Sequence, residues 1–287
     1  KYKYGFAIPC NYKEALEFDE RNGNTKWQDS NAKEHEQLSE YEVFINKGKF
    51  HEGNIPEGYR KIKVHTIFDV KHDGRHKARV VANGNLTDVP LESVYSGVVS
   101  LRGLRCCIFL GELNKMTPWA TDIGNAYLEA KTTEKVCIRA GPEFGSDQGK
   151  VMIIVRALYR LKSSGAAFRA LLAEVLYDLN YRPSKADPDV YMRPAVKENG
   201  FKYYEYVLTY VDDVLCLSHD PMSTMKSIQE KFKLKDDKIE EPDVYLGASL
   251  SKMNNESGHE CWAMSSDKYC AAAVANVTEV LEKKGLR

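Results

Sequence analysis

The chain has 287 residues, 43% of them apolar, enough to fill one large domain or two of ordinary size. Forty-one Lys and Arg balance 41 Asp and Glu, so no global basic excess marks a nucleic-acid binder and any basic surface has to be local. Seven cysteines without a C-x-x-C pair fit a reducing compartment, and no apolar run approaches a membrane span.

The chain opens on KYKYGF without Met or a secretory leader, so it is expected to be part of something longer. Residues 1–30 are polar and Asn-rich and are expected to form an irregular arm, followed by a modest helix over 31–46. The stretches 61–70 and 75–84 alternate apolar and polar residues around Asp73-Gly74, which predicts a hairpin carrying Lys61, Lys63, Lys71, Arg75, Lys77 and Arg79. His72 and His76 bracket that turn with no Cys nearby, which points to a solvated turn and not to zinc.

Leu101, Leu104, Ile108 and Leu113 fall near helical spacing; residues 117–128 read as a strand entering a turn, and 135–140 and 151–159 as strands. GPEFGSDQGK lacks the spacing of a phosphate-binding loop and reads as a plain connection. The clearest helix is 163–180, with Phe168, Leu171, Leu172, Val175, Leu176 and Leu179 on one stripe and Ser163 or Ser164 as cap. DVYMR, KYYEYVLTYV and DVLCLS follow as strands. Asp220-Pro221 opens a helix with Met225, Ile228 and Phe232 inward. A hairpin around NNESG and a last helix marked by Cys270, Val274, Val277 and Leu281 complete an order that favours an α+β fold.

Two adjacent aspartates, Asp212 and Asp213, interrupt the apolar run YVDDVLCLS. A surface turn is one reading, since aspartate is common in turns. The flanks VLTYV and VLCL argue instead for a tight turn joining two buried strands, which holds its side chains stiffly. Like charges ~4 Å apart repel by about 4 kcal/mol at an effective dielectric near 20. Protonation or a cation relieves this, and magnesium, a hard ion that prefers oxygen ligands, is the natural guest. Two such ions can activate an attacking oxygen and stabilise a leaving one. Asp122, in WATDIGNAYL, either caps the turn that follows or supplies a third carboxylate from a neighbouring strand.

TDIGNAYL and YVDDVL together resemble the palm motifs of reverse transcriptases, specifically those of copia-type LTR retrotransposons. The resemblance covers about residues 27–285. Trp27, Ala32 and Glu34, with FDVKHDGRHKARVVANG (68–84), look like that family's fingers region. LYRLKSSGAAF (158–168), DPDVYMR (187–193) and YLGASL (245–250) follow in register.

The resemblance implies a right-hand polymerase fold: an N-terminal arm and fingers over 1–114, a palm over 115–250 with inserted fingers elements at about 140–185, and the end of the primer-grip hairpin with the start of a thumb over 251–287. It implies an RNA-directed DNA polymerase extending a primer 3′-hydroxyl with dNTPs on an RNA or DNA template. Two Mg2+ ions, replaceable by Mn2+, would be held at Asp122, Ile123, Asp212 and Asp213. Tyr127 would exclude a ribose 2′-hydroxyl. Lys77 and Arg79 would grip the triphosphate, Tyr159 would line the nucleotide pocket, and Lys162, Tyr210, Val211, Tyr245, Leu246 and Gly247 would contact template and primer. The implied setting is cytoplasmic, within a retroelement particle and without a membrane; oligomeric state is not readable.

Three positions depart from the family: Arg160 replaces a usual glycine, Gly165 a proline, and Phe168 a frequent tryptophan. The first two motivate an alternative, a catalytically silent retroelement-derived nucleic-acid-binding or scaffold protein; the three aspartates oppose it. Tyr127 and the YVDD form argue against a nucleotidyl cyclase or an RNA-dependent RNA polymerase. A basic cleft is expected on a chain whose outer faces, EFDE and DDKIEEPD, are acidic. The polymerase reading requires Asp122 to lie beside the hairpin tip, within ~10 Å, so that paired ions can bridge them.

Overall fold

The structure, a computed structural model, describes residues 1–51, 55–71, 73–87, 90 and 94–286. His72 lies outside the described residues. Helices and sheets are mixed along the chain, as the α+β expectation required. Two compact units form: Lys1–Ser96 with Asn125–Leu171, and Gly97–Gly124 with Leu172–Arg287.

In the first unit the expected irregular arm is a correction, because it carries one helix and the start of a second. Asn11 accepts the Glu14 N–H (3.0 Å) while the Glu14 carboxylate accepts the Cys10 N–H (2.6 Å), a reciprocal cap that starts the Tyr12–Asn22 helix. Gly23 closes it at φ 61°. The next helix runs Lys26–Glu40, and the strand Phe44–Lys49 takes the end of the helix expected over 31–46. Its cap comes from the preceding helix: Asp19 is fully buried and accepts the N–H groups of Trp27 (3.1 Å) and Gln28 (2.9 Å). EFDE is therefore not wholly an outer face.

Val64–Val70 and His76–Ala82 form the predicted hairpin, paired from Val64↔Ala82 to Val70↔His76. Alternation buries Phe68, Val70, Ala78 and Val80 on one face. Glu34, 6% exposed, accepts the Val80 N–H at 2.9 Å and ties the second helix to this hairpin. His76 is not in a solvated turn: its ring lies edge-on to Trp27 (4.2 Å) and Phe6 (5.3 Å), and burial holds it below its ordinary pKa. A four-stranded sheet, in the order Phe44–Lys49, Lys150–Ile154, Val136–Arg139, Arg60–Ile62, closes over Leu38, Val43, Leu128 and Leu158.

The second unit is built on a five-stranded antiparallel sheet ordered Arg182–Pro183, Val190–Val196, Lys202–Tyr210, Asp213–Ser218, Thr117–Asp122. The helix Leu101–Asn114 packs Leu104, Cys107 and Ile108 against Leu208, Leu215 and Leu217 of this sheet. Pro221–Gln229 forms the helix predicted at Asp220-Pro221, and the Asp220 carboxylate accepts the Ser223 N–H at 3.2 Å. A smaller sheet, Val244–Tyr245, Ala248–Asn254 and Glu260–Ser265, contains the NNESG hairpin. The last helix, Asp267–Lys283, exists as read, but none of its residues is buried. The Ser164–Asp178 helix, the strongest sequence signal, buries Phe168, Leu172, Val175 and Leu176.

Candidate active site

The strands around the two aspartates pair antiparallel over a largely apolar buried stretch, so the hairpin is fixed before its tip is considered. Lys202–Tyr210 and Asp213–Ser218 pair from Tyr206↔Leu217 to Tyr210↔Asp213, leaving a two-residue turn, Val211 and Asp212. Val207, Leu208, Val214, Leu215 and Cys216 beneath it are fully buried. Val211 adopts φ 56°. A β-branched residue in this region costs on the order of 1–2 kcal/mol, which the paired, buried strands must over-determine.

Asp122 ends the adjacent strand and is the register partner of Asp213. Directly opposed antiparallel residues have Cα atoms about 4.5–5.5 Å apart, well inside the reach the polymerase reading needs. The Ile123 N–H donates to the Asp212 carbonyl at 2.8 Å and locks the third carboxylate to the turn. Ile123 is fully buried and its side chain carries no donor atom, so any ligand role falls to its main chain.

Burial, then the neighbouring Asp212 and Asp122, push the Asp213 carboxyl up to about 6; Lys235 works against them. Lys235 forms an ion pair with Asp122 Oδ2. Burial pulls the Lys235 ammonium down, but the bond to Asp122 and the charges of Asp213 and Asp212 outweigh it, leaving it above its ordinary value. Three carboxylates thus face one ammonium. Among the described residues no group of three His, Cys, Asp or Glu side chains stands ready as a ligand set, and here Asp122 is engaged by lysine. The donor chemistry nevertheless fits a hard divalent ion: carboxylate oxygens, an excess of negative charge, and no soft ligand.

Behind the tip, Tyr245 is 3% exposed, and its hydroxyl donates to the carbonyls of Leu208 (3.1 Å) and Asp213 (3.4 Å). It therefore positions the aspartate from below. Leu246 (φ 53°) and Gly247 (φ 73°) form the two-residue turn that follows, and Tyr210 is exposed at the hairpin end. Deeper in the sheet Arg193 sits opposite Glu205 and donates to its Oε2 at 2.7 and 3.0 Å, while Ser218 donates to Oε1 at 2.6 Å. Sequence reasoning missed Lys235 and this buried network alike.

The other predicted residues belong to the first unit. Arg79 lies over the Tyr159 ring at 4.3 Å, and Tyr127 packs against Tyr159 (5.6 Å) and Phe168 (6.4 Å). Lys77 is half-buried on the basic hairpin, across from Asp69. The Lys162 ammonium donates to the Thr87 carbonyl at 2.7 Å. The departures now have physical content. Arg160 has φ 69°, a region that favours glycine, and its carbonyl lies 2.0 Å from where a Cβ on Gly84 would be. A Cβ on Gly165 would lie 3.0 Å from Ser96 Cβ, so glycine permits that close approach.

The antiparallel sheet presents two carboxylates at a hairpin tip beside a third on the neighbouring strand, a compact acidic site. Sequence similarity gives its class. The family described as reverse transcriptase (RNA-dependent DNA polymerase) matches residues 49–274, and the chain belongs to it. Its members are nucleotidyltransferases, and its relatives here are retrotransposon polyproteins of copia type.

The chain is 24% identical over 242 residues to the retrovirus-related Pol polyprotein from transposon TNT 1-94 of Nicotiana tabacum, covering 80% of this chain and 18% of that protein. It is 27% identical over 186 residues to the corresponding polyprotein from transposon RE1 of Arabidopsis thaliana, covering 62% and 12%. With the transposon Ty1-NL2 Gag-Pol polyprotein of Saccharomyces cerevisiae identity is 28% over 204 residues, covering 70% and 11%. The chain thus spans less than a fifth of the length of these relatives. Among solved structures it is similar to a foamy viral protease-reverse transcriptase in complex with double-stranded DNA (TM-score 0.45, 14% identity, 79% of this chain and 34% of that one). It is also similar to the native prototype foamy virus enzyme (TM-score 0.42, 15% identity, 76% and 24%).

Proposed function

We propose that this chain is the polymerase portion of a retroelement polyprotein, with fingers, palm and the start of a thumb, and that it extends a primer 3′-hydroxyl with dNTPs on an RNA or DNA template. The observation that carries the proposal is the pairing of Asp213 with Asp122 beside the Val211–Asp212 turn. Asp122, Asp212, Asp213 and the main chain of Ile123 would hold two Mg2+ ions, or Mn2+ in their place. The chemistry such ions supply is activation of the primer hydroxyl and neutralisation of the departing pyrophosphate.

The protein's own contribution is positioning. The strained turn and the Tyr245 hydroxyl fix the Asp213 backbone, and Ile123 fixes Asp122 against Asp212. Tyr210, Val211, Leu246 and Gly247 would meet the primer, and Lys162 the template strand. Arg79, with its guanidinium stacked on Tyr159, and Lys77 would bind triphosphate oxygens, for which arginine's planar donor fork is suited. Tyr127 would stack under the deoxyribose. The expected setting is a cytoplasmic retroelement particle; among the described residues no helix is long and apolar enough to cross a membrane.

The test is extension of oligo(dT) on poly(rA) with Mg2+ by the wild-type chain and by Asp212→Asn. Wild type is expected to incorporate dTTP and the variant to fall to background with an unchanged circular dichroism spectrum. Undiminished extension by the variant refutes the proposal.

A further inference from the structure

Lys235 reaches Asp122 from 113 residues away in the chain, and the intervening packing makes that approach deliberate. Phe232 and Leu234, each 3% exposed, anchor the segment before it. The Gly124 N–H donates to the Lys233 carbonyl at 2.9 Å, and Leu234 bridges Ile123. A Cβ at Gly124 would lie 3.2 Å from the Lys233 carbonyl oxygen, tighter than most such contacts, so glycine eases the close approach of this segment. Beyond the lysine, Asp236 and Asp237 turn the chain at φ 55° and 51°. The Thr121 hydroxyl then donates to the Lys238 carbonyl at 2.8 Å, and Ala120 and Glu240 exchange main-chain hydrogen bonds at 2.7 and 3.1 Å. The segment is stitched along the outer edge of the strand that ends in Asp122, on both sides of Lys235.

We propose that Lys235 is the resident counter-ion of the metal-free site, seated on Asp122 and exchanged off that carboxylate when a divalent cation enters, so that its charge sets the cation affinity of the site. The inference rests on the reading of Asp122, Asp212 and Asp213 as ion ligands. Its physics is direct. Without a cation the three carboxylates repel one another, and one tethered ammonium offsets part of that repulsion. With a cation bound, ammonium and metal compete for the same oxygens of Asp122 and repel each other. The lysine therefore stabilises the empty arrangement and weakens ion binding, keeping the carboxylates in place between occupancies.

Mn2+ alone, without nucleic acid or nucleotide, is the probe: free ion is measured by electron paramagnetic resonance, and thermal unfolding is followed with EDTA and with Mn2+. The proteins are the wild-type chain, Lys235→Met, Lys235→Arg and Asp122→Asn. Lys235→Met is expected to bind Mn2+ about fivefold more tightly than wild type, the order for one half-exposed ion pair. The same variant is expected to melt below wild type in EDTA and to recover the difference in Mn2+. Lys235→Arg should match wild type in both measurements, and Asp122→Asn should bind weakly. Equal affinity in wild type and Lys235→Met, with Asp122→Asn still weak, overturns the exchange while leaving the ion ligands in place. Absence of any Asp122-dependent Mn2+ binding in all of the proteins overturns the ion reading and the exchange together.

Discussion

Replacing Asp213 by Asn should stabilise the metal-free protein at neutral pH while removing a carboxylate essential to the proposed chemistry. The Asp213 carboxyl is held near 6 by burial and by its two acidic neighbours, against an ordinary value of 3.8. Such a displacement corresponds to about 3 kcal/mol for a fully buried group. Asp213 is only half-buried, and solvent screening reduces this to about 1 kcal/mol. Because the folded state holds the proton more tightly than the unfolded chain, the cost is absent below about pH 4, grows as pH rises through 6, and is complete above it. Asp213→Asn should therefore melt with wild type near pH 4 and about 2–4 °C above it at pH 7.5, measured in EDTA. A pH-independent difference, or a variant less stable than wild type at pH 7.5, would refute the electrostatic account of this hairpin.

Arg160→Gly should raise stability by up to about 1 kcal/mol in a urea titration, because φ 69° strains any residue with a Cβ; a lower midpoint would mean that the arginine side chain carries a compensating contact. Glu34→Ala should cost about 2 kcal/mol by leaving the buried Val80 N–H unpaired. Burial raises the Glu34 pKa, so Glu34→Gln should gain on wild type as pH climbs above the ordinary carboxylate range, and a gain on acidification would contradict this. Tyr127→Ala should incorporate more ribonucleotide in a dNTP/rNTP competition, and unchanged discrimination would remove Tyr127 from the nucleotide site.

The tip of the DD hairpin was legible because its flanks are long apolar runs: a two-residue turn between buried strands fixes register, and register places Asp122 opposite Asp213. The basic hairpin was legible for a similar reason, with Asp73-Gly74 marking the turn. The N-terminal helices were not, since the apolar face of the Tyr12–Asn22 helix is short, Tyr12, Ala15 and Phe18, and sits in a polar, charged segment. Its aspartate caps a helix that begins seven residues later, beyond the two- or three-residue reach of an ordinary N-cap. Lys235 sits in KLKDDKIEEPD, which reads as a charged surface. The pairing of its segment along the edge of the strand that ends in Asp122 brings it to the carboxylates. His76 looked solvated beside its turn because the aromatic residues that cover it, Phe6 and Trp27, lie about 50 residues or more away.

One hydroxyl ties the smaller sheet directly to the hairpin that carries the paired aspartates. Tyr245 opens the three-stranded sheet, yet its oxygen rivets both arms of the neighbouring hairpin through Leu208 and Asp213. Displacement of the smaller sheet is transmitted to the backbone of Asp213. Substitutions scattered over residues 244–265 would then masquerade as chemical lesions in a mutational scan, although the reacting groups themselves were intact.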